Sequence, residues 1–362
     1  MHKRTIKPAL YGITHSNRNF EDPFYWGKNQ FNSSFPAALC CYMRDKHHKA
    51  VYVSLAGNST KVSEMSFDGV FGTKLPNQKL KFCFEDVYEP YGEFVNDSME
   101  HIDLVVRNAT TGKAIRPLEI KLTTLPDDGT SSLGEEDYGS ELVVRSPTMR
   151  YLALGIAEVA SERNIKAIRS LLEPICKGIG SDWESARAML SYKDDIFAAM
   201  EIFLKKFAAL QRPLLVQPIW KTLGKRPILA NNCLDVFVWS DFAIARMVLD
   251  SCYPSAKDKE KKITRPQRAM LRFARFLYEF STVGKVFQQP IYDGMTYGTL
   301  NDKEFAMPGS RTNAYMKCKR LLRPIVMKGE IKKIVLGGGQ KYLSPERRFD
   351  SILFFSKELF DE

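Results

Sequence analysis

Alternation of apolar and polar positions predicts strands at several places along the chain. In IRPLEIKL, residues 115–122, a strand's period of two puts Leu118, Ile120 and Leu122 on one face and Glu119 and Lys121 on the other. MEHIDLVV, just before it, is equally apolar. The intervening NATTGK supplies turn chemistry through Asn108, Thr110, Thr111 and Gly112, so the two runs read as an antiparallel pair. AVYVSL, PLLVQPIW at 213 and CLDVFVW at 233 predict further strands among stretches of helical spacing. One such stretch, SPTMRYLALGIAEVASER, offers Ser146 as a cap and Pro147 in the first turn. SDFAIARMVLDSC is another, and TRPQRAMLRFARFLYEF has Thr264 as its cap and Pro266 in its first turn. Residues 1–80 read as polar loops mixed with short strands. The expected class is α/β, with an α+β mixed sheet flanked by helices.

On the helix beginning at Thr264, a turn of about 100° per residue gathers Arg265, Arg268, Arg272 and Arg275 in one arc, and Met270, Phe273, Ala274, Leu277 and Phe280 in another. The apolar stripe predicts core; the arginine stripe faces either phosphates or water. Downstream, SRTNAYMKCKRLLRPIV reads as a helix and KGEIKKIVLGGGQKYLS as strand, Gly-rich turn and strand, a pattern resembling a winged helix-turn-helix. In that reading Arg311, Thr312 and Asn313 lie at the helix N-terminus, where base edges are contacted. Lys317, Lys319, Arg320 and Arg323 face the phosphate backbone, and Lys332, Lys333 and Lys341 line the wing. The alternative is a helix and hairpin that only close the domain. The polar run SAKDKEKK at 255–262 is a candidate linker, which divides the chain into 1–254, holding the candidate chemistry, and a basic region 255–362.

Composition narrows the class. The chain has 362 residues, 44% hydrophobic and 26% charged, which excludes a disordered protein. No signal-like apolar run follows MHKRTIKPALYG and no stretch is long enough to span a bilayer, so the expectation is a cytoplasmic protein with no membrane partner. Seven cysteines without a C-x-x-C pair predict reduced, mostly buried thiols rather than a disulfide framework or a zinc site. The net charge of +11 is uneven: residues 1–150 are roughly neutral, whereas 253–348 carry about +13. Such a basic segment gains affinity for duplex DNA by releasing counterions, or else serves solubility.

Asp103, Glu119 and Lys121 are the candidate chemistry, because the strand pairing brings two carboxylates and an ammonium to one sheet edge. Mg²⁺ takes hard oxygen ligands, commonly one or two carboxylates with substrate phosphate and water. Asp103 and Glu119 suit that role, with the Ile120 carbonyl as a further ligand, and Lys121 suits orienting or deprotonating a water and offsetting developing charge. The same ExK spacing recurs at Glu260–Lys262, in a charge run without strand character, and at Glu330–Lys332, with no Asp-bearing apolar strand before it. The ordinary alternative is a hairpin whose solvated face pairs Asp103 with Lys121. Glu100 and His101 lie close enough to be auxiliary groups.

EHIDLVV followed by LEIKLTTLPD resembles the PD-(D/E)xK nuclease superfamily, with Asp103, Glu119 and Lys121 on its D…ExK positions; Ile102 stands where that pattern often has proline. ALYGITHSNRNF and WGKNQFNSSFPAALCCYM, together with LEIKLTTLPD, are similar to the HindVP/HgiDI group of type II restriction endonucleases. The resemblance is concentrated in roughly the first 150 residues. It implies a restriction-endonuclease-like core, Mg²⁺-dependent hydrolysis of double-stranded DNA at a short palindrome, GRCGYC, and a cognate DNA methyltransferase as functional partner. A palindrome in turn implies a two-fold homodimer. A repair or recombination nuclease using the same residues, or a DNA-binding protein with a degenerate nuclease fold, are the rival classes.

Overall fold

A computed structural model of the chain describes residues 10–19, 28–126, 142–223, 228–253, 262–298, 303–307 and 326–335. Its centre is a ten-stranded mixed sheet. The strands along its main path are β1 (His15–Ser16), β2 (Lys49–Ala56), β3 (Ser59–Ser66), β4 (Leu80–Asp86), β5 (Ile102–Asn108), β6 (Ala114–Ile120), β9 (Pro213–Leu223) and β10 (Ile228–Ser240), in the order β1-β4-β5-β6-β9-β10-β2-β3. Strand β7 (Thr123–Pro126) continues beside β9, and β12 (Val326–Met327) pairs with β10. A separate two-stranded sheet joins β8 (Leu142–Arg145) to β11 (Lys303–Met307). The mixed sheet flanked by helices is therefore present as expected.

The β5–β6 hairpin forms where its turn residues predict. The Asn108 side chain accepts hydrogen bonds from the N–H groups of Thr110 (2.9 Å) and Thr111 (3.0 Å), and Gly112 takes the left-handed conformation, φ +69°, that the return requires. Each face of the sheet buries its own core. Val105, Met149, Tyr151, Phe203, Phe242, Phe273 and Leu277 share one; Phe82, Leu104, Leu118, Val216, Trp220 and Val238 share the other. Helices α3 (Ser146–Val159), α4 (Glu162–Cys176), α5 (Ala186–Lys206), α6 (Asp241–Asp250) and α7 (Arg265–Val283) contribute to the first core. The second is covered by α1 (Lys28–Asp45) and the short α2 (Phe67–Phe71). The predicted linker 255–262 lies almost wholly outside the described residues, but the helix after it packs into the same core as α3 to α6.

Four local expectations need correction. Ser146 does not cap α3: Arg145 holds the N-cap position and its side chain makes no capping bond, Pro147 is within the first turn as predicted, and the Ser146 hydroxyl instead accepts from Arg272 (2.9 Å). The arginine stripe of α7 meets neither water nor DNA at its middle. Arg268 and Arg272 are buried, donating to the carbonyls of Thr296 (3.2 Å) and Tyr292 (3.0 Å), because the segment after helix α8 (Gln288–Gly294) and the end of that helix cover them. Residues 328–335, read as the first strand of a wing, form a helix, α9, so Lys332 and Lys333 lie on a helix. Ile331 and Ile334 are both buried and are three apart, a helical spacing. Finally, the loop-rich region before residue 80 contains the 18-residue helix α1. The expected cap and first-turn proline of α7 are as predicted: Thr264 accepts from the N–H of Gln267 in a reciprocal capping box.

The six described cysteines are free and buried, as expected for reduced thiols. No helix among the described residues is long and apolar enough to cross a membrane. Arg311, Thr312, Asn313, Lys317, Lys319, Arg320, Arg323 and Lys341 lie outside the described residues.

Candidate active site

Asp103, Glu119 and Lys121 come together where β5 and β6 part. The two strands pair in register through Leu104 opposite Leu118. One step further, the backbone ladder is replaced by a side chain: the Asp103 carboxylate accepts the N–H of Ile120 at 2.8 Å. In a strand the N–H and C=O of one residue point the same way, so the Ile120 carbonyl lies on the side of β6 that Asp103 occupies. On its other flank β6 is parallel to β9, with the N–H of Lys121 reaching the Val216 carbonyl at 3.0 Å. Pro218 is the next β9 residue facing that flank, and it has no N–H to donate, so the ladder breaks between β6 and β7 at Lys121 and Leu122. The parting on one side and the break on the other free the Lys121 side chain to bridge both acids, at 2.5 Å from Glu119 and 3.9 Å from Asp103.

Exposure differs sharply within the trio. The Glu119 side chain is 9% exposed and that of Lys121 20%, while Asp103 is 35% exposed and opens the group to solvent. Burial pushes the Glu119 carboxyl up to about 7, with the Asp103 carboxylate adding to the rise and Lys121 opposing it. Burial works against the Lys121 ammonium, yet Glu119 and Asp103 outweigh it and hold Lys121 above its ordinary value. Two carboxylates beside one ammonium make a partly closed, oxygen-rich site of the kind that a divalent cation occupies. No group of three or more His, Cys, Asp or Glu suited to a metal occurs among the described residues. Asp103, Glu119 and the Ile120 carbonyl form a smaller, all-oxygen set that fits Mg²⁺, whose remaining ligands come from water and phosphate.

The neighbours divide into those committed elsewhere and those that reach the trio. Glu100 is 2.6 Å from the buried Arg150, and the carbonyl of the exposed His101 accepts from Tyr151 Oη at 2.9 Å. Arg145, next to α3, adds positive potential at Lys121, and Arg18 adds it at Asp103. Neither arginine stands out from residue spacing. The signal for Arg18 was the N-terminal phrase THSNRN, which the fold carries to this end of the sheet.

The family model described as HindVP restriction endonuclease matches residues 26–360. The chain belongs to the HindVP restriction endonuclease family. It is 40% identical over 362 residues to the type II restriction enzyme HgiDI of Herpetosiphon aurantiacus, covering all of this chain and 99% of that protein. It is 38% identical over 357 residues to the probable type II restriction enzyme HindVP of Haemophilus influenzae, covering 98% of this chain and 96% of that one. No solved structure matches the chain. Membership of the HindVP family makes this an endonuclease, and it extends the likeness seen in the first 150 residues to nearly the whole length.

Proposed function

We propose that the chain is a Mg²⁺-dependent type II restriction endonuclease that cuts both strands of duplex DNA at a short palindrome, with Asp103, Glu119 and Lys121 as its cleavage site. The observation that carries this reading is the parting of β5 and β6, where the Asp103 carboxylate stands on the Ile120 N–H and Lys121 bridges both acids. Asp103, Glu119 and the Ile120 carbonyl would hold Mg²⁺, which when bound polarises a phosphoryl oxygen and acidifies water. Lys121 orients the attacking water and offsets charge developing on the phosphate. Asp103, the most exposed of the three, faces the incoming backbone. The names of the relatives support the type II activity, and resemblance to the HindVP/HgiDI group supplies the sequence GRCGYC. A palindrome calls for a two-fold homodimer, and a host would need a cognate methyltransferase for the same sites. The basic region 255–362, with Arg311, Thr312, Asn313, Lys317, Lys319 and Arg320, is assigned to DNA reading, and Lys333 on α9 to a backbone contact.

The test is incubation of unmodified plasmid with the purified chain and Mg²⁺, beside Asp103→Ala and Glu119→Ala. Discrete fragments from the wild type and none from the variants are expected. A ladder without defined ends points to a repair-type nuclease. Equal cutting by the alanine variants removes the trio from the chemistry.

A further inference from the structure

The hairpin register that sets Leu104 opposite Leu118 would next set Ile102 opposite Ile120, yet the pairing stops at Leu104. Along β5 the even-numbered residues turn their N–H and C=O towards β6: the Asn108 N–H is donated to the Lys113 carbonyl (2.9 Å) across the hairpin, whereas the Ala109 N–H goes the other way, to the Lys79 carbonyl (2.9 Å). Along β6 the Ile120 N–H turns to β5 and that of Lys121 to β9. Ile102 and Ile120 are therefore oriented for one more rung of two backbone bonds. That rung would commit the Ile120 N–H to the Ile102 carbonyl, displacing Asp103, and the Ile120 carbonyl to the Ile102 N–H, removing it as a ligand. Ile102 stands where the D…ExK pattern often has proline and keeps the N–H that a proline would lack, so the residue itself does not forbid the rung.

The run into Ile102 is held from α3. Tyr151 Oη donates to the His101 carbonyl at 2.9 Å, and Arg150 Nη2 is 2.6 Å from the Glu100 carboxylate, so two consecutive helix residues grip two consecutive residues at the start of β5. Both Arg150 and Tyr151 are buried. The Arg150 guanidinium lies 5.4 Å from the Tyr151 ring centre and 5.5 Å from that of Tyr292, whose hydroxyl donates to the Ser146 carbonyl (2.9 Å) in the first turn of α3. Further back, the Asp97 carboxylate accepts the Gln289 N–H at 2.8 Å, so the run is anchored at its beginning as well. Burial raises the Tyr151 hydroxyl above its ordinary value, against the pull of Arg150 and with Glu119 adding to the rise, so it stays a donor and lies within electrostatic reach of the trio.

We propose that Tyr151 is a positioning residue for the cleavage site: its hydroxyl, with the Arg150 and Glu100 pair beside it, holds β5 off β6 so that Asp103 rather than Ile102 takes the Ile120 N–H and the Ile120 carbonyl stays open to a metal. The proposal rests on the reading of Asp103, Glu119 and Lys121 as that site. Tyr151, sealed from solvent, acts only through the backbone of β5.

The experiment compares the full wild-type chain with Tyr151→Phe, which keeps the ring and loses the hydroxyl. Two readouts need no cutting. The Mg²⁺ concentration that half-saturates the rise in melting temperature is expected to increase about 10-fold in Tyr151→Phe, the scale for losing a group that orients a metal ligand. Without metal, amide exchange at Ile102 is expected to slow, because its N–H enters the ladder. Cutting of plasmid should be slower at low Mg²⁺ and recover as Mg²⁺ is raised, while binding to duplex DNA in EDTA stays at the wild-type level. A tyrosine that served the core alone would lower the melting temperature and move neither readout. An unchanged half-saturation in a folded Tyr151→Phe, or Ile102 exchange no slower than in wild type, overturns the proposal. Should Tyr151→Phe not fold, Glu100→Gln, altered at the exposed member of the same clamp, decides by the same two readouts, and wild-type values there overturn it. A wild type that responds to Mg²⁺ while the variants match it refutes only the clamp. A wild type with no Mg²⁺ response, or cutting that survives Asp103→Ala, removes the cleavage reading, and the clamp with it.

Discussion

Two groups of buried charge in this molecule look alike by acidity and differ in everything that chemistry needs. At the parting of β5 and β6, Glu119 is pushed up to about 7; near the start of α6, burial pushes Asp241 up to about 8 against the pull of Arg212 and Arg116. Around Asp241, Glu158 pairs with Arg212 and accepts from Tyr88 Oη (2.9 Å), while the Asp241 N–H donates to the Arg212 carbonyl (3.0 Å). Two carboxylates there face two guanidiniums within reach, and Asp241 is only 2% exposed. At the trio two carboxylates face the Lys121 ammonium, with Arg18 and Arg145 adding positive potential, and Asp103 opens to solvent. A raised carboxylate is thus common to the proposed cleavage site and to a structural ion network. What separates them is the open side, because only an accessible carboxylate can meet a cation and a phosphate.

Substitutions should split the two groups. The largest effect is on cutting: Asp103→Ala or Glu119→Ala should lower the rate on plasmid by ~10²–10³-fold or more, the scale for losing one group that stabilises transition-state charge, with melting little changed. In the other group the sign pattern reverses. Arg212→Met strands the Glu158 carboxylate and should cost about 3 kcal/mol in denaturant unfolding, the low end for breaking a buried pair because both side chains keep some exposure, while the cutting rate per folded molecule stays near wild type. Comparable loss of cutting in Arg212→Met and Asp103→Ala would erase the distinction.

Sequence alone reached the trio because every step was local: alternation set the face, Asn108 and Gly112 set the turn, and two strands seven residues long set the register. It did not reach α1, whose residues 33–43 are buried on all sides and so show no polar face to give a helical period, and whose Asn, Ser and Pro36 content looks like a loop. The α7 arginines were visible as an arc. What covers Arg268 and Arg272 was not, since their acceptors, Thr296 and Tyr292, follow at the end of α8 and beyond it. The nearness of Arg18 to Asp103 was equally hidden, because it depends on β4 lying between β1 and β5, a non-local fact of strand order.

A smaller change probes how tightly the second group is sealed. A side-chain carbon at Gly155 would stand 2.9 Å from Asp241 Oδ2 and 3.2 Å from Tyr91 Oη. Gly155→Ala should therefore cost about 1–2 kcal/mol through overpacking, read as a lowered denaturant midpoint, and leave cutting intact. If the variant is as stable as wild type, the Asp241 environment has room to yield and the contrast with the open trio weakens.

The finest discrimination is a slope. Glu119 titrates at about 7 against an ordinary 4.5, so between those values the folded chain holds a proton that the unfolded chain has lost. Stability contributed by that proton is present below about pH 4.5 and falls as pH rises towards 7. Asp241, raised from 3.8 to about 8, acts in the same direction over a wider window. Neither group can contribute more than about 1.4 kcal/mol per pH unit. Mg²⁺ tells them apart, because a cation bound at the trio favours ionised Glu119 and does nothing for a sealed Asp241. Melting across pH 4–8 should show Mg²⁺ stabilising the wild type increasingly as pH rises. Glu119→Gln should lose both the slope between 4.5 and 7 and the response to Mg²⁺. Asp241→Asn should flatten the profile up to about 8 and keep that response. Equal stabilisation of Glu119→Gln and wild type by Mg²⁺ would move the ion away from Glu119 and leave its raised pKa with the same structural meaning as that of Asp241.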